Sequence, residues 1–97
     1  MSFSITLHDF PDADPQHRRA AETRYRSVLE EAFGSTAAIV TAVKAWQAVT
    51  TASDDAQVTS DERALALRFF QVSVQARKAV LRRASDPSHA YFEVTLH

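Results

Sequence analysis

Four histidines, His8, His17, His89 and His97, have ordinary pKa values nearest neutrality, which makes them the first candidates for proton transfer or metal ligation. None stands in an HExxH or HxH pattern, and the 97-residue sequence has no cysteine to complete a zinc site. We therefore expect no metal and no cofactor. Asp9, Asp12 and Asp14 form an acidic group beside His8 and His17. Asp14 is better read as a helix cap and Asp12 as a turn residue, because acids are favoured just before a helix N-terminus.

Catalytic nucleophiles are scarce. There is no GxSxG elbow, and a single glycine, Gly34, rules out the glycine-rich phosphate loops. The carboxylate pairs Glu30-Glu31 and Asp54-Asp55 are adjacent in sequence and read as solvated surface. The sequence leans away from an enzyme.

Charge is more informative. Six basic residues and no acidic one lie between Arg63 and Arg83, behind Asp61 and Glu62. Part of this follows from the helix dipole, which favours acids in a first turn and bases in a last one. The alternative to that dipole reading, which already accounts for Lys78, Arg82 and Arg83, is a stripe, Arg68, Gln71, Gln75, Lys78 and Arg82, at strict three-and-four spacing. Its cations suit phosphates or an acidic protein, and its glutamines can hydrogen-bond between them. Arg77 falls about opposite the stripe, near Ser73, Phe69 and Val80. A buried or interfacial arginine needs a carboxylate, for which Glu93 or an acid from a second subunit is the candidate. Trp46, Phe69 and Phe70 sit at helical spacing and read as core rather than as a ligand cage. Tyr91 falls on the polar side of its segment, where an amphipathic ring suits an interface.

The elements that must position these groups follow from periodicity. Phe3 to His8 alternates apolar and polar, the mark of a half-buried strand with Phe3, Ile5 and Leu7 inward. Asp14 and Pro15 start a first helix over about 15–33, ended by Gly34. Ser35 or Thr36 caps a second over about 36–52, whose threonines and valines leave a strand in competition, but whose alanines and Ile39-Val43-Trp46 spacing favour helix. Thr59 and Glu62 form a capping box for a third over about 60–84. Leu65, Leu67, Phe69, Phe70, Val72, Val74, Val80 and Leu81 cover more than half of its circumference, as expected for a central helix touched from two sides. Ser85-Asp86-Pro87-Ser88 breaks it, and a last strand over about 90–96 places Phe92, Val94 and Leu96 inward.

The prediction is a single α+β domain, residues 1–97, with three helices bracketed by two strands that pair, antiparallel by base rate, into a small sheet. A two-stranded ribbon is marginal in water, so it must lie on the helices or be extended across a dimer. An apolar fraction of 45%, a charged fraction of 24% and a net charge of -1 describe a globular chain with no global pull toward nucleic acid or membrane. The start lacks the pattern of a secretory signal, and with no cysteine we expect a cytoplasmic, bacterial protein.

A strand, a helix, the Gly34-Ser35-Thr36 turn and a second helix resemble the order of elements in ribbon-helix-helix DNA-binding proteins, over roughly the first half of the chain. The chain departs from that pattern in its long first helix, in an outward strand face of Ser4, Thr6 and His8, and in its extra helix and strand. The resemblance implies association through strands more than DNA reading.

The functional expectation is a non-catalytic homodimeric binding or accessory module with an unknown protein partner. A nucleic-acid-binding or regulatory protein using the basic stripe stands second. A small enzyme or ligand- or metal-binding domain at the ribbon carrying His8 and His97 stands third.

Overall fold

The capping signals of the sequence become the ends of its helices. In the computed structural model, which describes residues 1–11, 14–82 and 86–97 (without the side chain of Asp55), the order is β1 (Phe3–His8), α1 (Pro15–Phe33), α2 (Thr36–Thr51), α3 (Ser60–Val80) and β2 (Tyr91–Leu96). A short 3-10 turn, Asp55–Gln57, joins α2 to α3. Asp14 caps α1 by accepting from the Gln16 amide at 2.9 Å, and Pro15 opens the helix without wasting a donor. Gly34 ends it at φ 88°, a left-handed conformation that suits a residue without Cβ, and its amide bonds the Glu30 carbonyl at 2.7 Å. Ser35 caps α2 through the Ala38 amide, and both halves of the Thr59–Glu62 capping box form on α3.

The third helix is shorter than its hydrophobic rhythm predicts. It ends at Val80, where Leu81 leaves helical geometry, turns its amide to the Arg77 carbonyl at 2.8 Å and packs against the core. Arg82 follows outside the helix, and Arg83 and Ala84 lie outside the described residues, as does the turn reading of Asp12. At the other end of the fold, β1 stops where Asp9 adopts φ 56°, a left-handed turn open to aspartate because its short side chain tolerates it.

The strands pair antiparallel, Phe3 opposite Leu96 through His8 opposite Tyr91. Phe3, Ile5, Leu7, Phe92, Val94 and Leu96 thus share one face, which lies on the helices, while Ser4, Thr6, His8, Tyr91, Glu93 and Thr95 share the other. This is an α+β architecture with β1 paired antiparallel to β2 of its own chain, as the matching patterns of the two terminal strands predict. The core lies between the ribbon and the three helices around Leu7, Tyr25, Leu29, Ile39 and Val43, all essentially sealed from solvent. Among the described residues no helix is long and apolar enough to cross a membrane.

Candidate functional site: an open strand edge beside an aromatic groove

Ladder parity decides which backbone groups remain free. Ser2 and His97 exchange amide–carbonyl bonds, so the narrow hydrogen-bonded pairs continue through Ser4–Thr95, Thr6–Glu93 and His8–Tyr91. The amides and carbonyls of Phe3, Ile5 and Leu7 then point out of one edge, and those of Phe92, Val94 and Leu96 out of the other. Helix α1 covers the first edge. Glu22 Oε2 accepts the Leu7 amide at 2.8 Å, and Arg26 Nη2 donates to the Phe3 carbonyl at 2.8 Å while its guanidinium lies 4.2 Å from the centre of the Phe3 ring. Arg18 continues this row with a 3.1 Å bond to the Phe10 carbonyl.

The β2 edge is different. Arg77 closes only its start, Nε donating to the Ala90 carbonyl at 2.6 Å and Nη2 to that of Ser88. Beyond it, among the described residues, the outward amides and carbonyls of Phe92, Val94 and Leu96 have no partner. Along this edge runs an open groove of about 420 Å³ between α2, α3 and β2, with Trp46, Phe69, Phe70 and Phe92 in its walls and Gln47, Thr50, Ser73 and Arg77 supplying polar points. Its floor is ordered by stacking. Tyr25 lies 4.2 Å from Phe92, centre to centre, and its hydroxyl hydrogen-bonds Ser73. Burial pushes that hydroxyl above the usual phenol pKa, against a smaller opposing effect of the Ser73 bond.

The aromatic cluster is therefore divided. Phe69 is core, as expected, but Trp46 is half-buried and Phe70, stacked on it at 5.6 Å, is 48% exposed. Leu67 is 57% exposed on the same helix. Helix α3 packs on α1 and α2, but on its Leu67–Phe70–Val74 side the Trp46 ring of α2 covers Phe70 only in part. The expected central helix thus has one apolar flank that is incompletely covered.

The ion pair expected between Arg77 and Glu93 is not formed within the chain. Arg77 is occupied by the carbonyls of Ser88 and Ala90 just before the start of β2, and Glu93, on the solvent face of the ribbon, meets His8 at 2.9 Å. A guanidinium can satisfy its donors with carbonyl oxygens, and strand alternation turns Glu93 to the outer face, where its nearest cross-strand neighbours are Thr6 and His8. His8 also stacks on Tyr91 at 5.1 Å, and both the His8–Glu93 hydrogen bond and the ring pair are solvent-exposed. His97 instead bonds the Ser4 hydroxyl at 2.7 Å, at the far end of the ribbon. The two histidines therefore share no chelate, and among the described residues no three His, Asp or Glu side chains come together.

All five members of the basic stripe, Arg68, Gln71, Gln75, Lys78 and Arg82, lie toward solvent. Arg68 is tied into the fold. Its Nη2 donates to the Ala32 carbonyl at 2.7 Å in the last turn of α1, and its guanidinium covers the Phe33 ring at 5.0 Å. The groove itself is not among the sites that the sequence pattern suggests. Its signal is the second apolar row Leu67–Phe70–Val74, set apart from the buried row Ala66–Phe69–Ala76–Val80.

Compared with protein-family models, curated proteins and solved structures, the chain gives no match.

Proposed function

We propose that this chain is a non-catalytic binding module that holds an extended apolar segment as an added strand on β2. The observation that carries this reading is the coincidence of the free β2 edge with the Trp46–Phe70 groove. An added strand satisfies the outward amides and carbonyls, and every second side chain enters the aromatic walls. Groove volume and lining support the same reading, since binding clefts combine apolar walls with a few polar points. The nucleic-acid reading stands second, because one of the three cations in its stripe already caps α1. The sequence's lack of cysteine supports placing the module in the cytoplasm.

Trp46 is the only tryptophan, so the groove carries its own reporter. Titration with a short peptide alternating threonine with valine or phenylalanine is expected to shift Trp46 emission to the blue. Substitution Phe70→Ser should weaken the response, and a proline-interrupted version of the peptide should give none. Trp46 emission that stays unchanged up to near-millimolar peptide overturns the proposal.

A further inference from the structure

We infer that the strand added to β2 is β2 of a second copy of this chain, giving a four-stranded antiparallel sheet across a two-fold axis at Val94. This rests on the strand-addition reading and names its occupant.

The choice of occupant follows from the edge itself. The β1 edge is blocked by Glu22 and Arg26, so a sheet can grow only at β2. Its outward groups belong to Phe92, Val94 and Leu96, and a hydrogen-bonded pairing of two such edges must oppose these residues to one another. Few registers satisfy that. Centring the pair on Glu93 sets Glu93 against Glu93, a like-charge pair that is unfavourable directly across strands. Centring it on Thr95 leaves only Val94 to Leu96 of the strand overlapped. Centring it on Val94 pairs Phe92 through Leu96 in full, with Phe92 opposite Leu96, Val94 opposite Val94 and Glu93 opposite Thr95 of the second copy.

That register also fills the groove. Residues directly opposite in a sheet project from the same face, so Leu96 and Phe92 of the second copy extend the inner apolar face past the edge of β2. There they come beneath Trp46, Phe70 and Val74, whose flank is otherwise incompletely covered. The axis stands normal to the sheet, which puts the two helical layers on one side and gives an isologous, self-complementary contact. A ribbon that is marginal with two strands becomes a sheet of four.

The test is sedimentation equilibrium of the full chain from micromolar to near-millimolar concentration, with three variants. Val94→Pro removes an amide that points out of the free edge and takes no part in the β1–β2 ladder. It is expected to be monomeric, with the circular dichroism of the folded chain. Thr95 is solvent-facing, so Thr95→Glu and Thr95→Lys test register without touching the core. Glutamate there faces Glu93 of the second copy twice over and should raise the dimer Kd by about ten-fold, whereas lysine should hold or lower it. Dimerisation lost in Val94→Pro, weakened in Thr95→Glu and kept in Thr95→Lys is the expected result. A dimer indifferent to all three overturns the inference by locating the contact elsewhere. If Val94→Pro unfolds, the opposite responses of the two Thr95 variants decide alone, and equal responses overturn it. A wild-type chain that stays monomeric yet shifts Trp46 emission with the alternating peptide overturns the second copy as occupant and leaves strand addition standing. A monomer that answers to neither removes both.

Discussion

The two edges of one ribbon are treated in opposite ways. On β1 the outward amide of Leu7 and carbonyl of Phe3 are taken by charged side chains of α1, and the strand residues beside them are sealed. At β2, among the described residues, Arg77 ties down only the Ser88 and Ala90 carbonyls just before the strand, and the backbone groups of Phe92, Val94 and Leu96 face outward beside half-exposed aromatics. An edge strand left open invites pairing, so the charged cover on one side and its absence on the other separate a finished boundary from an incomplete one. The cover comes from helix geometry. Glu22 and Arg26 are four residues apart on α1, one turn along the same face, and so reach separate residues of the strand beneath.

The largest expected effect contrasts the interiors of the two sides. Leu7 is 1% exposed, and Leu7→Ala should cost about 2–5 kcal/mol through lost burial and the cavity left behind. Phe70→Ser, at the open groove, should cost less than about 1 kcal/mol in urea unfolding of the dilute protein. Similar losses at both positions would erase the distinction between a sealed and an open side.

A smaller effect tests the charged cover itself. Glu22→Ala leaves the Leu7 amide without its carboxylate partner and should cost about 1–2 kcal/mol. Hydrogen exchange at that amide should accelerate in the variant. If it exchanges as slowly as in the wild type, Glu22 is not what closes the β1 edge.

The smallest effect concerns the floor of the groove. Because burial raises the Tyr25 pKa above 10.0, the folded chain holds that proton more tightly than the unfolded one. The stabilisation is complete below the unfolded value of about 10 and is lost as pH rises through the folded value. Stability should therefore decline with pH above about 10, and Tyr25→Phe should flatten the decline. A decline of equal slope in both proteins, followed by urea midpoints across that range, would place the titrating group elsewhere.

Much of the fold is legible before any coordinates because the signals are local. Asp14-Pro15, Gly34, Ser35 and the Thr59–Glu62 box each act within one helical turn, and each appears at its expected place. Alternation at both ends of the chain likewise fixes which strand residues face the helices. The site is less legible. Charge alone pairs Arg77 with Glu93, but strand parity carries Glu93 to the outer face and backbone carbonyls satisfy Arg77. Phe70 and Phe69 are adjacent in sequence and chemically identical, yet one is core and the other borders open space.

The sequence by itself determined the order, type and caps of the elements and the apolar face of each strand, since these depend on neighbours within a few residues. Only the tertiary structure decided that α1 closes β1 while β2 stays open, that Arg68 caps α1, and that Trp46 and Phe70 meet across two helices. Those outcomes depend on how elements far apart in the chain are set against one another. Periodicity counts the apolar faces a helix has, but not the neighbours available to cover them.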